Sequence, residues 1–233
     1  MPSNTKTNIF ILLLAAVCGM VYLISLNAPF IFDDSHMIVH NLFIKNPKYL
    51  AFFFKGWVTS APVPTGMCRP LLMLTFAFNY ANGGLNPIGY HIVNILFHFL
   101  NAVLLFTLLK SLSILPARAS HQKCPPGGWT KVPKGLLFLI TLLFAVHPLN
   151  TEAVTYISSR SDLMVTLFIL SGFILYIRKR YILTLLMYVF ALLSKETGMC
   201  LPLFIFSYDI IRHINNRTPL KKWFKKRNIA IYI

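Results

Sequence analysis

Acidic residues are scarce in this chain: six Asp and Glu among 233 residues, against 22 Lys and Arg, for a formal net charge of +16. Cysteine is scarce too. Its four positions, Cys18, Cys68, Cys124 and Cys200, form no C-x-x-C pair, so neither a zinc site nor a dithiol redox motif is supported. No internal repeat is visible, which argues against a transporter built from inverted repeats around a midplane pathway. A small-residue cleavage motif is missing after the first apolar run, whose one preceding charge is Lys6, so that run reads as a retained helix rather than a removed signal peptide. No mitochondrial presequence is apparent. Charged residues of both signs make up only 12% of the chain and hydrophobic ones 56%, at a mean hydropathy of +0.65. That exceeds the apolar content of soluble domains and indicates an integral membrane protein.

Apolar runs near the length of a bilayer crossing occupy 8–28, 88–109, 135–149, 163–177, 181–194 and 197–211. The fold class expected is therefore all-α, a polytopic transmembrane helical bundle of about six membrane helices. If the N-terminus is cytoplasmic and each run crosses once, the basic residues sort by side. Lys6, five in the 110–134 loop, Arg178-Lys179-Arg180 and seven in 212–227 fall on the cytoplasmic face. Only Lys45, Lys48, Lys55, Arg69, Arg160 and Lys195 fall opposite. This is the positive-inside asymmetry, so the basic balance reports topology and anionic headgroups, and nucleic acid is not an expected partner. Asn216-Arg217-Thr218 matches a glycosylation sequon but lies on the cytoplasmic side of this topology, where it would be unused.

The acids sort the other way. Asp33 and Asp34 lie in the first non-cytoplasmic loop, Glu152 and Asp162 in the second and Glu196 at the third turn; Asp209 alone is near a cytoplasmic helix end. His36, His40, Arg69, His91, His147, Arg160 and Lys195 share their face. Ionisable groups at a membrane boundary are costly unless paired or hydrated, so their gathering on one side marks a candidate site. The plainer alternative is solvated loop pairs, Arg160 with Asp162 and Lys195 with Glu196, each worth about 0–1 kcal/mol.

The non-cytoplasmic loop 29–87 has structure of its own. "NPKYLAFFFKGW" sets aromatics beside Lys and Trp, as an interfacial helix does. "RPLLMLTFAFNYANGG" opens with Arg69-Pro70, runs apolar and closes on Asn-Gly-Gly, which reads as a second short helix with a glycine stop. Between them "APVPTG" is turn chemistry. Residues 116–135 are Pro/Gly-rich and basic, a cytoplasmic loop. His91 and His98, seven apart, share a helix face with Asn94, and for His98 a packed, hydrogen-bonded interior face is expected. Cys68 and Cys200 fall on the same side.

A carboxylate pair on a membrane-face loop suits transfer from a lipid-bound donor to a polar acceptor. One carboxylate can take the proton of an attacking hydroxyl. Cations such as Arg69, Arg160 or Lys195 can hold a phosphate and stabilise its charge as it leaves. The second carboxylate would orient a cation, a metal or a backbone group.

Four blocks in order and spacing make this specific: "FIFDDSHMIVHN", "CRPLLMLTFAFNYANGGLNPIGYHIVNILFHFLNAVLLF", "FAVHPLNTEAVTYISSRSDLM" and "LLSKETGMCLPLFIFSYDII". Together they resemble the N-terminal membrane half of the transmembrane and tetratricopeptide-repeat-containing O-mannosyltransferase family and its bacterial relatives, within the GT-C superfamily. The resemblance covers nearly the whole chain apart from the 112–134 loop. It implies a membrane glycosyltransferase that moves a sugar, mannose in the eukaryotic members, from a polyprenyl or dolichyl phosphate to a Ser or Thr hydroxyl of a protein acceptor. The acidic motif of the family matches Asp33 and Asp34, its histidine, acid and arginine block His147, Glu152, Arg160 and Asp162, and its last block Lys195 and Glu196; Arg69 and His91 join these as candidates for donor or acceptor binding. Some superfamily members use a divalent cation and others do not, so no metal ligand and no cofactor is assigned. The implied location is a bacterial inner membrane or the endoplasmic reticulum membrane, with the site on the non-cytoplasmic face. The pattern is incomplete: tetratricopeptide repeats are missing, and the chain closes on "KKWFKKRNIAIYI", a basic loop leading into what looks like another span. It is read as a fragment, and a non-catalytic assembly subunit is the alternative to an enzyme.

Overall fold

The computed structural model describes residues 2–55, 58–60, 67–113 and 132–216. The turn segment 61–66, most of the 110–134 loop with Cys124, the sequon positions Arg217 and Thr218 and the basic ending lie outside the described residues. Among the described residues there are helices and no strand. Helix α1 (Pro2–Tyr22) continues through a 3-10 turn, Leu23–Asn27, into the loop that carries Asp33 and Asp34. A π turn at Ser35–Val39 and 3-10 helices at Leu42–Lys45 and Pro47–Phe54 follow, then α2 (Pro70–Gly83) and α3 (Pro87–Ser113). The remaining elements are α4 (Lys134–Val146), α5 (Asn150–Thr155), α6 (Arg160–Ile177), α7 (Tyr181–Ser194) and α8 (Cys200–Asn216).

Among the described residues three helices are long and apolar enough to cross a membrane: Thr7–Asn27, Pro87–Ser113 and Ile157–Ile177. Lys134–Val146 and Tyr181–Ser194 are apolar but shorter. At ~1.5 Å per residue a helix of this length reaches about 20 Å, less than the ~30 Å of hydrocarbon. The 135–149 run ends as a helix at Val146 because His147 precedes Pro148, which disfavours helical backbone; His147 adopts φ −65°, ψ 131°. The 197–211 run divides into a 3-10 turn, Glu196–Met199, and α8.

The loop helices form as their sequences suggest. Asn46 caps Pro47–Phe54 by accepting from the Lys48 N–H at 3.1 Å. In α2, Pro70 occupies the first turn, where its missing N–H costs nothing, and Gly84 at φ +58° closes the helix by donating to the Tyr80 carbonyl at 2.8 Å. Among the described residues the largest buried apolar cluster lies here: Met37, Ile38, Ile44 and Phe53 of the loop pack on Leu72, Met73, Phe76, Tyr90, Ile157 and Met164. This fastens the loop onto the ends of α2, α3 and α6.

Helix α3 holds the bundle by a ladder of buried polar residues at spacings of three and four, all on one face. His91 donates from Nε2 to the Ala28 carbonyl at 3.1 Å and His98 from Nε2 to Ala145 at 2.9 Å. Asn94 donates to the carbonyls of Val154 and Tyr156, both at 3.3 Å, and Asn101 to that of Leu163 at 2.9 Å. Helix ends and breaks leave carbonyls without an intrahelical partner, and a bilayer offers no water to satisfy them. The ladder meets those of Ala28, Ala145, Val154 and Tyr156, and the interior reading of His98 agrees with it.

Helices α6 and α7 form a tight antiparallel pair, and the turn after α7 folds back on it. A Cβ placed on Gly198 would stand 2.5 Å from the backbone carbon of Ala191; one on Gly172 would meet the flexible end of Leu201 at 2.8 Å. Gly198→Ala is therefore expected to destabilise the solubilised protein by at least about 1–3 kcal/mol, and Gly172→Ala by less. Thermal unfolding in detergent checks the order.

Candidate functional site

The two neighbouring carboxylates face different surroundings. Residues 31–34 form a tight turn in which Phe32 takes a left-handed φ of 45° and stands exposed. Asp34 is fully buried beneath it. Its Oδ2 accepts from the Ile31 N–H at 3.1 Å, and its Oδ1 accepts from both the N–H and the hydroxyl of Ser158, at 2.9 and 2.5 Å. Burial pushes the Asp34 carboxyl above its ordinary value, against the opposing pull of the Ser158 and Ile31 hydrogen bonds. Asp34 thus ties the loop to the break that precedes α6, and both its oxygens are in use.

Asp33 turns outward, its side chain 56% exposed. Its backbone N–H donates to the Tyr156 hydroxyl at 2.9 Å, and its Oδ1 lies 3.2 Å from Nε2 of His36. Nδ1 of His36 lies 2.7 Å from the Ser60 hydroxyl. Burial, with the charges of Asp33 and Asp34 close by, pushes the Tyr156 phenol up to about 12. Tyr156 therefore stays a neutral hydroxyl beside the exposed carboxylate.

A second cluster assembles where α2 and α6 begin and α7 ends. Arg69 reaches Glu196 through two bonds, Nε to Oε1 at 3.4 Å and Nη2 to Oε2 at 3.0 Å, and its Nη1 donates to Ser161 at 3.4 Å. Lys195 pairs with Asp162 at 2.5 Å. Burial alone would raise Glu196; its own backbone N–H and Arg69 outweigh that and hold its carboxyl below the usual range. The partners are thus Arg69 with Glu196 and Lys195 with Asp162, not the sequence neighbours.

Two short segments tie the clusters together. Ser60 contacts His36 while Thr59 accepts from the Arg69 N–H at 3.0 Å. Ser158 holds Asp34, and Ser161, one helical turn on and so about 5 Å along the axis, touches Arg69. A carboxylate, an imidazole, a phenol and two paired cations thereby share one end of the bundle.

Arg160 differs from its expected place at a donor phosphate. It is fully buried, with its guanidinium 4.7 Å above the Phe76 ring. Nε donates to Asn94 Oδ1 at 2.8 Å, Nη1 to Thr75 and Asn79 at 3.1 and 2.7 Å, and Nη2 to the Tyr90 carbonyl at 3.0 Å. These contacts join α2, α3 and α6 and leave no face for a ligand. His91 is buried in the α3 ladder. His147 and Glu152 are exposed, and among the described residues no hydrogen bond links them to either cluster; the His147 ring accepts from the Leu149 N–H at 3.2 Å. Among the described residues no three His, Cys, Asp or Glu side chains form a set of metal ligands. The thiols of Cys68 and Cys200 are free. Tyr156, Ser158, Ser161 and Ser60 were not singled out by sequence, since a hydroxyl in a loop carries no spacing signal.

Curated relatives agree in kind. The chain is 32% identical over 196 residues to the protein O-mannosyl-transferase Tmtc1 of Drosophila melanogaster, covering 79% of this chain and 21% of that protein. It is 31% identical over 215 residues to the protein O-mannosyl-transferase F38B6.6 of Caenorhabditis elegans, covering 89% and 29%. With the mouse protein O-mannosyl-transferase TMTC4 it shares 35% over 169 residues, covering 69% and 22%. The chain thus spans less than a third of the length of these relatives. No family model and no solved structure matches it.

Asp34→Asn would set an amide N–H against the N–H of Ile31 or Ser158, and is expected to cost about 1–3 kcal/mol of stability. Arg160→Lys would strand acceptors that a single ammonium cannot reach, and is expected to cost about 3–5 kcal/mol. Asp33→Asn should melt with the unaltered protein. Thermal unfolding of the three variants in one detergent makes the comparison.

Proposed function

The chain belongs to the TMTC family of protein O-mannosyl-transferases, and we propose that it carries part of a GT-C-type site that moves mannose from a polyprenyl or dolichyl phosphate to a protein Ser or Thr hydroxyl. The observation that carries this reading is the division of labour at 33–34, where Asp34 is consumed by structure and Asp33 is left exposed beside His36 and Tyr156.

In this reading the acceptor hydroxyl attacks the anomeric carbon of the donor. Its oxygen forms the new glycosidic bond as the bond from that carbon to the phosphate oxygen breaks. The lipid phosphate leaves with the electron pair, and the hydroxyl proton passes to Asp33, within whose reach the acceptor must sit. Negative charge grows on the leaving phosphate, where Arg69 and Lys195 would stabilise it. Arg69 offers a planar fork to two phosphate oxygens, whereas Lys195 acts as a compact point charge. Arg160 and Asp34 act at one remove by fixing the helices and the turn. The same end of the bundle faces the lumen or the periplasm if the basic loops mark the cytoplasm. His147 and Glu152, exposed near that end, are acceptor-side candidates.

Transfer of labelled mannose from a polyprenyl-phosphate donor to membrane-protein acceptors tests this. Asp33→Asn is expected to lower transfer by about 100-fold or more. Arg69→Ala and Lys195→Ala should raise the donor KM and lower kcat. Undiminished transfer by Asp33→Asn would sink the role of the base. Transfer that never occurs unless a second polytopic chain is added would favour an assembly subunit.

A further inference from the structure

Asp33, His36 and Ser60 form a continuous hydrogen-bonded row. The Ser60 hydroxyl lies 2.7 Å from Nδ1 of His36, and Nε2 of the same ring lies 3.2 Å from Oδ1 of Asp33. Ser60 is almost fully buried and its hydroxyl needs an acceptor. Nδ1 of His36 is the partner it has. With Nδ1 accepting, the ring proton resides on Nε2, the atom that faces the carboxylate. The tautomer is thus assigned by the hydrogen-bond network, and the outer nitrogen becomes a donor.

The order of groups is that of a Ser-His-Asp set, but its burial is reversed. In a hydrolase the serine is the reachable end; here Ser60 is buried and the carboxylate is exposed. The row therefore serves the carboxylate. A second restraint comes from Tyr156, whose hydroxyl accepts the Asp33 backbone N–H at 2.9 Å. The backbone of Asp33 is held from one side and its Oδ1 from the other, so Oδ2 is the oxygen that His36 does not engage.

We propose that His36, oriented by Ser60, is a positioning residue that holds Asp33 with Oδ2 presented to the acceptor hydroxyl. This rests on the reading of Asp33 as the proton acceptor. An exposed carboxylate free to rotate spends much of its time misaimed, and one donor on one oxygen removes that freedom. The same arrangement of an outer group fixing the orientation of an inner one is familiar from histidines held by carboxylates at metal sites.

The contrast between two substitutions of similar size tests it. Gln carries an amide N–H at nearly the distance of imidazole Nε2, whereas Leu fills the space without a donor. In the full chain, assayed in membranes by labelled-mannose transfer, His36→Leu is expected to lower kcat by about tenfold with little change in acceptor KM. His36→Gln should retain most of the activity. Ser60→Ala should give a smaller loss on its own and none on top of His36→Leu, because the two act in one row. Thermal unfolding confirms that the His36 variants fold alike. Equal activity of His36→Leu and His36→Gln, whether both high or both low, overturns the proposal while Asp33→Asn remains inactive. Full transfer by Asp33→Asn overturns the reading of Asp33 itself, and the role of His36 with it.

Discussion

A fully buried guanidinium with no carboxylate bonded to it is the constraint on which this structure turns. Arg160 sits where α6 begins, and removing its charge from water is tolerable only because neutral oxygens surround it on several sides. Those oxygens come from α2 and α3, so meeting the needs of one side chain sets the mutual position of three helices. Asn94 completes the arrangement. Its oxygen accepts from Arg160 while its amide donates to the carbonyls of Val154 and Tyr156, which the break between α5 and α6 has exposed. One asparagine thereby satisfies the charged residue and the chain interruption that precedes it.

That break is also where the site is hung. Residues 156–162 provide Tyr156 beside Asp33, Ser158 beneath Asp34, Ser161 against Arg69 and Asp162 against Lys195. An uninterrupted helix would have turned these side chains through successive 100° steps and scattered them. A 3-10 turn at Ile157–Ser159 between two helical segments instead turns several of them to the same end of the bundle. Structural and candidate chemical roles alternate along seven residues, and so Asp34 and Arg160 determine the geometry of neighbours that they do not resemble in exposure.

The sequence made much of this legible. Hydropathy marked the apolar helices, Arg69-Pro70 and Gly83-Gly84 bounded α2, and the gathering of acids on one side was expected from the order of the apolar runs together with the charges. The His91, Asn94 and His98 spacing marked a polar face of α3, although Asn101 belongs to it as well. What could not be read were the partners. Arg69 and Glu196 are 127 residues apart, Lys195 and Asp162 33 apart, and adjacency in the chain suggested other pairs. Arg160 was read as a candidate cation for the donor phosphate because burial of a charge leaves no local trace; its acceptors lie on α2 and α3, as far as 85 residues away. The end of α4 at Val146 is a different case. The hydrophobic run continues past it, but His147-Pro148 stops the helix, so a steric rule overrode hydropathy.

The ion pairs explain how cations can wait in the site without being spent. In both pairs the carboxylate is the more exposed partner: Glu196 at 57% against 14% for Arg69, and Asp162 at 44% against 23% for Lys195. On the proposed reading an arriving phosphate meets cations that are already fixed in direction. The displaced carboxylate returns to water at small cost, because an exposed pair is worth only about 0–1 kcal/mol. A phosphodiester carries one negative charge, so on this reading it would replace one carboxylate and leave the other ion pair in place, which avoids the larger penalty of a partly buried charge without a partner. On that reading the site would discriminate by geometry: a phosphodiester has two free oxygens, which the planar fork of Arg69 can take together or share with Lys195. On the proposed reading this would tie donor selection to Arg69 and Lys195, and through Ser161 and Asp162 to the same helix start that Arg160 secures.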